Sequence, residues 1–364
     1  MKKRIALLGA TGSIGKSALD VIAQNKNDFE IVLLSAHNNA EGLEGPGRLW
    51  PRAAQILSGD QGGRERLLEA ITGCGANITL NGISGAAGLE PSMAAIEAGS
   101  NLALANKETM VMAGPLIRQR AKEKNVKIIP VDSEHSAVFY LLKAHGAEAL
   151  DEIILTASGG PFRKYSRSEL EKVTPKDALA HPTWVMGTKI TIDSASMANK
   201  GLEVIEAVRI FNLAPEKVKV VIHPQSIVHS MIRMKNGAVY AQLSLPDMRL
   251  PIREALYWPE CGKTDFGRLE FDSLSLEFFP PDMEKFPLLN LAYEAVKKGG
   301  LYPCAYNGAN EAAVAAFLAG RIGFLDISRI TQKVMEKDWS AEPTDIAQVL
   351  EADIRAKEYA CDTL

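Results

Sequence analysis

Short apolar segments alternate with helix-like segments through the first third of the chain. The apolar segments are Arg4–Leu8, Glu30–Ser35, Asn77–Leu80, Asn101–Ala105 and Val126–Val131, and helical spacing follows at Ile14–Gln24, Leu89–Ala98 and Pro115–Lys124. Continuous apolar strands separated by helices are typical of a parallel sheet covered on both faces. We therefore predict an α/β fold with a Rossmann-like parallel sheet in residues 1–131. Residues 40–75, which include Gly42, Gly45, Pro46 and Gly47, show no clear pattern.

The pattern changes after residue 131. Strands are predicted at Asp151–Thr156 and Lys217–His223, and Ile227–Leu245 is predicted to be a hairpin. Its turn is Asn236-Gly237, a pair that tolerates the positive φ angles of tight hairpins. The second strand alternates apolar and polar residues, so one face packs on the protein's own core or serves as a dimer face. These features predict a central α+β catalytic domain with an antiparallel hairpin in residues 132–258.

The last hundred residues are predicted to be a linker and a helical domain. Residues 259–283 contain three Pro and two Gly, which indicates a linker. From Phe286 onward the apolar spacing is helical and predicts about four helices, the first ending at Gly299-Gly300. We therefore place the linker at 259–283 and a C-terminal helical bundle at 284–364.

Composition and charge exclude several classes of protein. The chain has 364 residues, of which 46% are hydrophobic, and a formal net charge of -3. No broad positive field is available for a nucleic-acid backbone. The four cysteines are irregularly spaced and suit a reducing compartment rather than a zinc site or a disulfide framework. Because no uncharged apolar run reaches the roughly 18 residues that span a bilayer, we expect a cytoplasmic protein with neither nucleic acid nor membrane as partner.

A glycine-rich turn, Gly9–Gly15 (GATGSIG), follows the first predicted strand and opens the first predicted helix. Glycine permits a tight turn and close approach of the backbone to a pyrophosphate, and the helix N-terminus favours the anion. This context predicts dinucleotide binding, and the alternative is an ordinary strand–helix turn.

The end of the second strand bears on the choice of cofactor. An acid there would hold the ribose 2′-hydroxyl of NAD, whereas a cation would hold the 2′-phosphate of NADP. The chain has His37, Asn38 and Asn39 instead, with no acid before Glu41. These residues argue against a strict preference for NAD, and they could donate hydrogen bonds to a phosphate. Alternatively, His37 is an exposed loop histidine.

Two carboxylates follow the last predicted strand of the parallel sheet, at Asp132 and Glu134. In an extended segment, residues two apart face the same way. Two carboxylates at the carboxyl end of a parallel strand suit Mg²⁺ or Mn²⁺. The alternative is a solvated acidic turn.

A second polar group lies at Ser194, Ser196, Asn199, Lys200 and Glu203. On a helix, the last three share one face. Serines, an amide and a lysine suit a phosphate or polyol, and Glu203 could complete a metal site. The alternative is an ordinary capped helix with a surface Lys–Glu pair.

Two loops between these groups carry further candidate residues. Ser158-Gly159-Gly160 is a small, donor-rich turn, and His181–Gly187 contains Trp184 and Met186. A Trp and a Met on a loop indicate a lid over a ligand, or a loop anchored to the core by its Trp. His145, His223 and His229 receive no role.

Eight ordered motifs resemble those of the 1-deoxy-D-xylulose 5-phosphate reductoisomerase family. They are GATGSIG (9–15), GAAGL (85–89), ANKE (105–108), PVDSEHSA (130–137), TASGGPF (156–162), AHPTWVMG (180–187), DSASMANKGLE (193–203) and HPQSIVHS (223–230). The resemblance runs from about residue 4 to residue 330. It is weakest at residues 40–80 and at the C-terminus.

The resemblance implies a specific activity. Members of this family convert 1-deoxy-D-xylulose 5-phosphate to 2-C-methyl-D-erythritol 4-phosphate in non-mevalonate isoprenoid biosynthesis. The reaction joins a skeletal rearrangement to reduction by NADPH and needs Mg²⁺, Mn²⁺ or Co²⁺. Members are typically homodimers. The other hypotheses are a related NAD(P)-dependent dehydrogenase of another phosphorylated polyol and a non-catalytic nucleotide sensor.

The resemblance also implies roles for individual residues. The metal ligands are expected to be Asp132, Glu134 and Glu203. The substrate contacts are expected to be Lys107, Ser133, Glu134, Ser158, His181, Ser194, Asn199, Lys200 and Glu203, with Lys107, Glu134, His181 and Glu203 catalytic. The NADPH contacts are expected to be Thr11, Gly12, Ser13, Ile14, Asn106, Glu108, Met186 and Gly187, with Trp184 and Met186 covering the site. His37, Asn38 and Asn39 replace the family's usual basic pattern, so NADPH preference is expected to be weaker or to depend on another basic residue.

Overall fold

The structure is a computed structural model that describes residues 2–184, 186–260, 262 and 267–363. The strands are β1 Lys3–Leu8, β2 Phe29–Ala36, β3 Ala54–Leu57, β4 Ile78–Asn81, β5 Asn101–Leu104, β6 Ile128–Pro130, β7 Leu150–Ala157, β8 Val218–Ile222, β9 Val228–Met234 and β10 Val239–Leu243. The helices are α1 Ser13–Gln24, α2 Glu41–Leu49, α3 Gly63–Gly73, α4 Leu89–Glu97, α5 Lys107–Glu123, α6 Ser133–His145, α7 Arg167–Leu170, α8 Pro175–Ala178, α9 Thr188–Ala195, α10 Ala198–Phe211, α11 Arg249–Tyr257, α12 Pro287–Lys298, α13 Tyr302–Leu318, α14 Asp326–Met335 and α15 Ile346–Asp362.

The chain divides into two compact units. The first contains the described residues within Met1–Thr109, Pro115–Phe139 and Asp247–Gly267, and the second contains those within Met110–Gly114, Tyr140–Pro246 and Arg268–Leu364. The division into domains at residues 131, 258 and 283 stays a prediction. Among the described residues, no helix combines the length and the apolar character that a membrane crossing requires.

The first unit is built on a six-stranded sheet in the order β3-β2-β1-β4-β5-β6. All of its strand pairs are parallel. The register places Ile5 of β1 opposite Ile31 of β2 and Ile78 of β4. This order is the Rossmann order, so the predicted Rossmann-like parallel sheet is confirmed.

The core of the first unit includes a helix that lies far away in the sequence. The central strand and α1 bury Ile5, Leu7 and Ile22, and α11 adds Ile252 and Leu256 to the same cluster. Each buried side chain of this size contributes about 1.5–3 kcal/mol relative to exposure. Helix α11 therefore belongs with the parallel sheet of the first unit, although Arg249–Tyr257 lies within the region 132–258 that the sequence predicted to be the catalytic domain.

Residues 40–75 are structured, contrary to the unclear pattern of their sequence. They form α2, β3 and α3. Strand β3 is an edge strand that buries none of its four residues fully, and α3 buries only Leu67 and Ile71 apart from a glycine. The hydrophobic periodicity is weak here because these elements lie at the margin of the sheet and need little apolar surface.

The second unit contains a four-stranded sheet in the order β10-β9-β7-β8. Strands β7 and β8 are parallel, and β9 is antiparallel to both β7 and β10. The predicted hairpin is confirmed: β9 and β10 flank a turn in which Gly237 has a φ of +87°. We expected one face of β10 to be buried and the other exposed. Val239 and Tyr240 point to opposite faces of this edge strand and are 45% and 38% exposed. The expected difference between the faces is therefore wrong for a single chain at this position.

Four helices, α12 to α15, form the end of the chain within residues 267–363, as predicted. Helical spacing in the sequence predicts a helix over Gly308–Ala319, but α13 begins six residues earlier, at Tyr302. Its first turns bury Cys304, Ala305, Tyr306 and Asn307 together. A helix that is buried on every side has no amphipathic pattern from which its beginning can be read.

Candidate active site

The glycine turn brings backbone close to backbone at the start of α1. Gly9 has a φ of +75°, and a Cβ there would lie 2.8 Å from the carbonyl oxygen of Gly82. A Cβ on Gly15 would overlap the backbone of Gly9 and Ala10. Both positions require glycine, which leaves a shallow turn at a helix N-terminus, a favourable place for a pyrophosphate. The predicted residues Thr11, Gly12, Ser13 and Ile14 form this turn and the first residues of α1.

His37, Asn38 and Asn39, which bear on the choice between NAD and NADP, lie on the exposed segment after β2. The Asn39 Oδ1 atom accepts a hydrogen bond from the Gly42 amide at 2.9 Å, at the beginning of α2. The His37 Nδ1 atom lies 3.3 Å from the Ser58 hydroxyl. Ser58 follows β3, which pairs with β2. Sequence reasoning missed Ser58 because β3 was not predicted.

Asn106 and Glu108 stand at the start of α5. The Asn106 Oδ1 atom accepts a hydrogen bond from the Thr109 amide at 2.9 Å and so caps the helix. Its amide nitrogen donates to the carbonyl oxygens of Ile83 at 2.7 Å and Gly85 at 2.9 Å. Asn106 therefore fixes the loop after β4 against the start of α5.

Lys107 and Asp132 form a nearly buried ion pair within the first unit. The Lys107 Nζ atom lies 2.6 Å from Asp132 Oδ2, with side-chain exposures of 6% and 11%. Burial alone would raise the pKa of Asp132, but the charge of Lys107 and the contact with His135 hold that pKa well below its ordinary value. Asp132 is thus an anion at neutral pH, as a metal ligand must be.

The expected extended geometry of Asp132 and Glu134 is wrong, because α6 begins at Ser133. The Asp132 carbonyl accepts the Ser136 amide at 2.8 Å, and its Oδ1 atom accepts the Glu134 amide at 3.4 Å. Asp132 therefore begins the helix, and Glu134 lies in its first turn. Even so, a carboxylate oxygen of each residue lies within 4.8 Å of the other, near enough for one ion to contact both.

In the second unit, α10 carries the predicted polar face. Glu203 is 1% exposed. Its carboxylate accepts hydrogen bonds from the Asn199 amide nitrogen and from Lys200 Nζ. The helical grouping of these three residues is confirmed, but the alternative of a surface Lys–Glu pair is wrong, since Lys200 is 3% exposed.

Ser158 and His181 meet in the second unit. The His181 Nδ1 atom accepts the backbone amides of Thr183 at 3.1 Å and Trp184 at 2.9 Å. Burial lowers the pKa of His181, which favours the neutral ring. Because Nδ1 accepts two amides, the proton lies on Nε2, and Nε2 donates it to the Ser158 hydroxyl oxygen at 3.0 Å. The Gly160 amide donates to the same oxygen at 3.2 Å. With two hydrogen bonds accepted, the Ser158 hydroxyl is set to donate its own proton to a ligand.

Ser194 lies beside this pair. Gly160 has a φ of +66°, and a Cβ there would lie 2.7 Å from the Ser194 carbonyl oxygen. The turn that carries Ser158 therefore packs directly on the backbone of Ser194. The second unit thus gathers Ser158, His181 and Ser194, while α10 holds Asn199, Lys200 and Glu203.

The segment after His181 leads into α9. Trp184 and Met186 are half-buried, and Val185 lies outside the described residues. The Trp184 ring contacts the His229 ring edge-to-face, with centroids 6.1 Å apart. Gly187 caps the start of α9, and its carbonyl accepts the Thr191 hydroxyl at 2.8 Å. His229, which received no role from sequence, is therefore the residue beneath the tryptophan.

The fold and these residues define a class of protein. A parallel sheet in Rossmann order with a glycine turn after β1 defines a dinucleotide-binding unit. Carboxylates and a donor-rich set of serine, histidine, amide and lysine side chains add groups suited to a divalent cation and a phosphate. The class is that of nucleotide-dependent α/β enzymes.

Comparison with known proteins gives the family. The family models that match are 1-deoxy-D-xylulose 5-phosphate reductoisomerase at residues 5–50 and 48–114, the C-terminal domain of that enzyme at 128–211 and the DXP reductoisomerase C-terminal domain at 243–359. The 1-deoxy-D-xylulose 5-phosphate reductoisomerase of Treponema denticola is 46% identical over 99% of this chain and 96% of its own length. That of Treponema pallidum is 45% identical over 98% and 96%. The chain belongs to the 1-deoxy-D-xylulose 5-phosphate reductoisomerase family.

Solved structures agree with this assignment. A reductoisomerase from Zymomonas mobilis in complex with NADPH has a TM-score of 0.90 at 38% identity, covering 100% of this chain and 99% of its own. A DOX-P reductoisomerase in complex with NADPH, fosmidomycin and magnesium has a TM-score of 0.92 at 35% identity, covering 99% and 98%. The resemblance seen in the eight sequence motifs is therefore confirmed over the whole chain.

Proposed function

We propose that this protein is an NADPH- and metal-dependent reductoisomerase that converts 1-deoxy-D-xylulose 5-phosphate to 2-C-methyl-D-erythritol 4-phosphate. The observation that carries this proposal is 46% identity to a reductoisomerase over 99% of the chain. Solved relatives bind NADPH and magnesium, which supports the same cofactors here. The chain retains a glycine turn for the dinucleotide, carboxylates for the cation and donors for the phosphate.

Asp132, Glu134 and Glu203 are the proposed ligands of the divalent cation. Carboxylate oxygens are the donors that Mg²⁺ and Mn²⁺ prefer. The low pKa of Asp132 keeps its carboxylate anionic, and Asn199 and Lys200 fix the orientation of the Glu203 carboxylate before an ion arrives. A bound cation supplies Lewis acidity toward the carbonyl and hydroxyl oxygens of the substrate.

The chain's own side chains bind and orient the sugar phosphate. Ser158 donates its hydroxyl proton to a phosphate oxygen, because His181 and Gly160 already occupy its acceptor sites. Ser194, Asn199 and Lys200 contribute a hydroxyl, an amide and a positive charge to the same substrate, and Ser133 contacts it beside Glu134. Lys107 and Glu134 hold or move protons near the reacting carbons. Trp184 and Met186 exclude water from the reacting atoms.

The nucleotide is proposed to lie along the first unit. The backbone of Thr11, Gly12, Ser13 and Ile14 holds the pyrophosphate at the N-terminus of α1. His37, Asn38 and Asn39 contact the 2′-phosphate, and Asn106, Glu108, Met186 and Gly187 contact other parts of NADPH.

A homodimer in the cytoplasm is the proposed state of the enzyme. The exposed apolar residues Val239, Tyr240 and Leu245 at the edge of the second sheet support association with a second copy. The free thiols of Cys74, Cys304 and Cys361 suit a reducing compartment. Sedimentation of the purified protein tests the dimer, and a monomer at micromolar concentration would contradict it.

A coupled assay tests the reaction. Purified protein should oxidise NADPH when 1-deoxy-D-xylulose 5-phosphate and Mn²⁺ are both present, and chelation of the metal should abolish turnover. NADH in place of NADPH measures the nucleotide preference, and other phosphorylated polyols should not be reduced. Absence of turnover with substrate, NADPH and Mn²⁺ would overturn the proposal.

A further inference from the structure

Asp193 is a buried carboxylate to which neither the family resemblance nor the proposed function gives a role. It lies on α9 and is 1% exposed. Its Oδ2 atom lies 2.8 Å from the Lys189 ammonium, and its Oδ1 atom accepts a hydrogen bond from the Asn310 amide nitrogen at 2.7 Å. Asn310 is fully buried on α13, one of the C-terminal helices. A buried carboxylate is costly unless it is paired, and here both oxygens have donors.

The position of Asp193 in the chain links it to the proposed phosphate donors. It directly precedes Ser194, and its own carbonyl accepts the Ser196 hydroxyl at 3.3 Å. Met197 then adopts a φ of +63°, which turns the chain from α9 into α10. Asn199 and Lys200 follow in the first turn of α10. The positions of Ser194, before this turn, and of Asn199 and Lys200, after it, therefore depend on the position of the end of α9.

Lys189 connects the same carboxylate to the loop that carries Trp184. It lies in the first turn of α9, two residues after Gly187, which caps that helix. Asp193 thus binds the start of α9 through Lys189 and the C-terminal helices through Asn310. One buried group joins the loop, the Ser194 segment and the helical end of the chain.

We propose that Asp193 and Asn310 are positioning residues for the phosphate of the substrate. Their hydrogen bond fixes the end of α9 against α13, and this fixes the direction of the Ser194 hydroxyl and the register of Asn199 and Lys200. The proposal rests on the proposed function of these three residues. It assigns to the C-terminal helices a direct part in substrate affinity, because Asn310 is supplied by them.

The test compares the affinity for 1-deoxy-D-xylulose 5-phosphate in Asn310→Ala, Asp193→Asn and the wild type. Calorimetric titration with Mg²⁺ and without NADPH measures binding independently of turnover. We expect both variants to raise the Kd by about tenfold, the equivalent of about 1.4 kcal/mol. The KM for NADPH should stay within about twofold, because the variants weaken binding of the sugar phosphate and not of the nucleotide.

Asp353→Asn is the matched control. Asp353 is 4% exposed and pairs with Lys357 at 2.6 Å, an i,i+4 pair like that of Lys189 and Asp193, but on α15. The Asp353→Asn substitution should change the Tm without changing the Kd for the sugar phosphate. The exchanged pair Asp193→Asn with Asn310→Asp restores the carboxylate–amide hydrogen bond but not the ion pair with Lys189, so it should recover part of the affinity that either single variant loses.

The outcomes separate the two proposals. Wild-type protein that binds the sugar phosphate but fails to oxidise NADPH would contradict the proposed reaction. An unchanged Kd in Asn310→Ala, or an equal loss of affinity in Asp353→Asn, would show that the bond only stabilises the fold and would overturn the positioning role.

Discussion

Each unit of the molecule holds a lysine–carboxylate pair out of water, and the two pairs arise in different ways. Lys200 and Glu203 are three residues apart on α10, with side-chain exposures of 4% and 1%. Lys107 stands at the start of α5, directly after the β5 loop, and Asp132 lies between β6 and α6, and the two residues meet because β5 pairs with β6. Helical geometry dictates the first pair, whereas sheet topology dictates the second. In both, a lysine balances a carboxylate that is a proposed metal ligand.

The largest expected effect is the loss of turnover in Glu203→Gln. The substitution keeps the shape of the side chain but removes the anion that a metal ligand supplies, and it leaves one acceptor oxygen where Asn199 and Lys200 donate to two. We expect kcat/KM to fall by about a thousandfold, or about 4 kcal/mol of transition-state stabilisation. The coupled NADPH assay at saturating Mn²⁺ measures this, together with circular dichroism to verify the fold.

Glu311→Gln is the control for this variant. Glu311 also pairs with a lysine, Lys357 at 2.9 Å, but it lies on α13 among the C-terminal helices. It should retain turnover within about threefold. Near-normal activity of Glu203→Gln would remove Glu203 from the metal ligands and leave the pair on α10 a structural one.

This contrast explains what sequence alone could predict. Helical spacing predicted the polar face of α10, and apolar runs predicted the parallel sheet, the hairpin and four terminal helices. Contacts between residues that are far apart in the sequence were not predictable. Asp193 and Asn310 are 117 residues apart, and no local pattern marks their bond. Ser58 follows an edge strand with little apolar character, and Asp132 begins a helix whose first turn looks extended in sequence.

Lys107→Met should cost more stability than Lys200→Met. In the first unit the substitution leaves Asp132 without the cation that lowers its pKa, and breaking such a pair costs about 3–5 kcal/mol. On α10, Asn199 still donates to Glu203, so the cost is smaller. Because Mn²⁺ replaces the missing charge, it should raise the Tm of Lys107→Met more than that of the wild type. Thermal unfolding with and without Mn²⁺ measures both effects.

Lys285→Met is the companion variant, since Lys285 donates at 2.8 Å to the Arg163 carbonyl and pairs at 3.7 Å with Asp282, a carboxylate that is not a proposed metal ligand. Its response to Mn²⁺ should equal that of the wild type. An equal response in Lys107→Met would argue that Lys107 and the metal do not share Asp132.

Acid should weaken the two units in different pH ranges. Burial lowers the pKa of His229 to about 4, with smaller contributions from nearby His223 and Lys200. Because the unfolded histidine titrates near about 6.5, the unfolded state binds more protons below that pH, and about 3 kcal/mol of stability is lost between pH 6.5 and 4. Asp132, whose pKa is lowered, loses its contribution only below the unfolded value of about 3.9.

Chemical denaturation of the apoprotein from pH 7 down to about pH 2 tests this order. His229→Gln should flatten the fall in stability above pH 4 without altering the decline at lower pH. Identical profiles for the variant and the wild type would show that His229 does not dominate the acid sensitivity of the second unit.

The smallest expected effect lies in the first unit, at His37, where the nucleotide contacts are exposed rather than buried like the two lysine pairs. Loss of one hydrogen bond to the 2′-phosphate costs about 0.5–1.5 kcal/mol, so His37→Ala should raise the Kd for NADPH about two- to tenfold and leave that for NADH unchanged. Fluorescence titration of both nucleotides measures the ratio. The control is His145→Ala, because His145 stacks on Tyr240 in the second unit with centroids 3.7 Å apart. Equal weakening of NADPH and NADH would place His37 outside the phosphate contact and leave the discrimination to other residues such as Ser58.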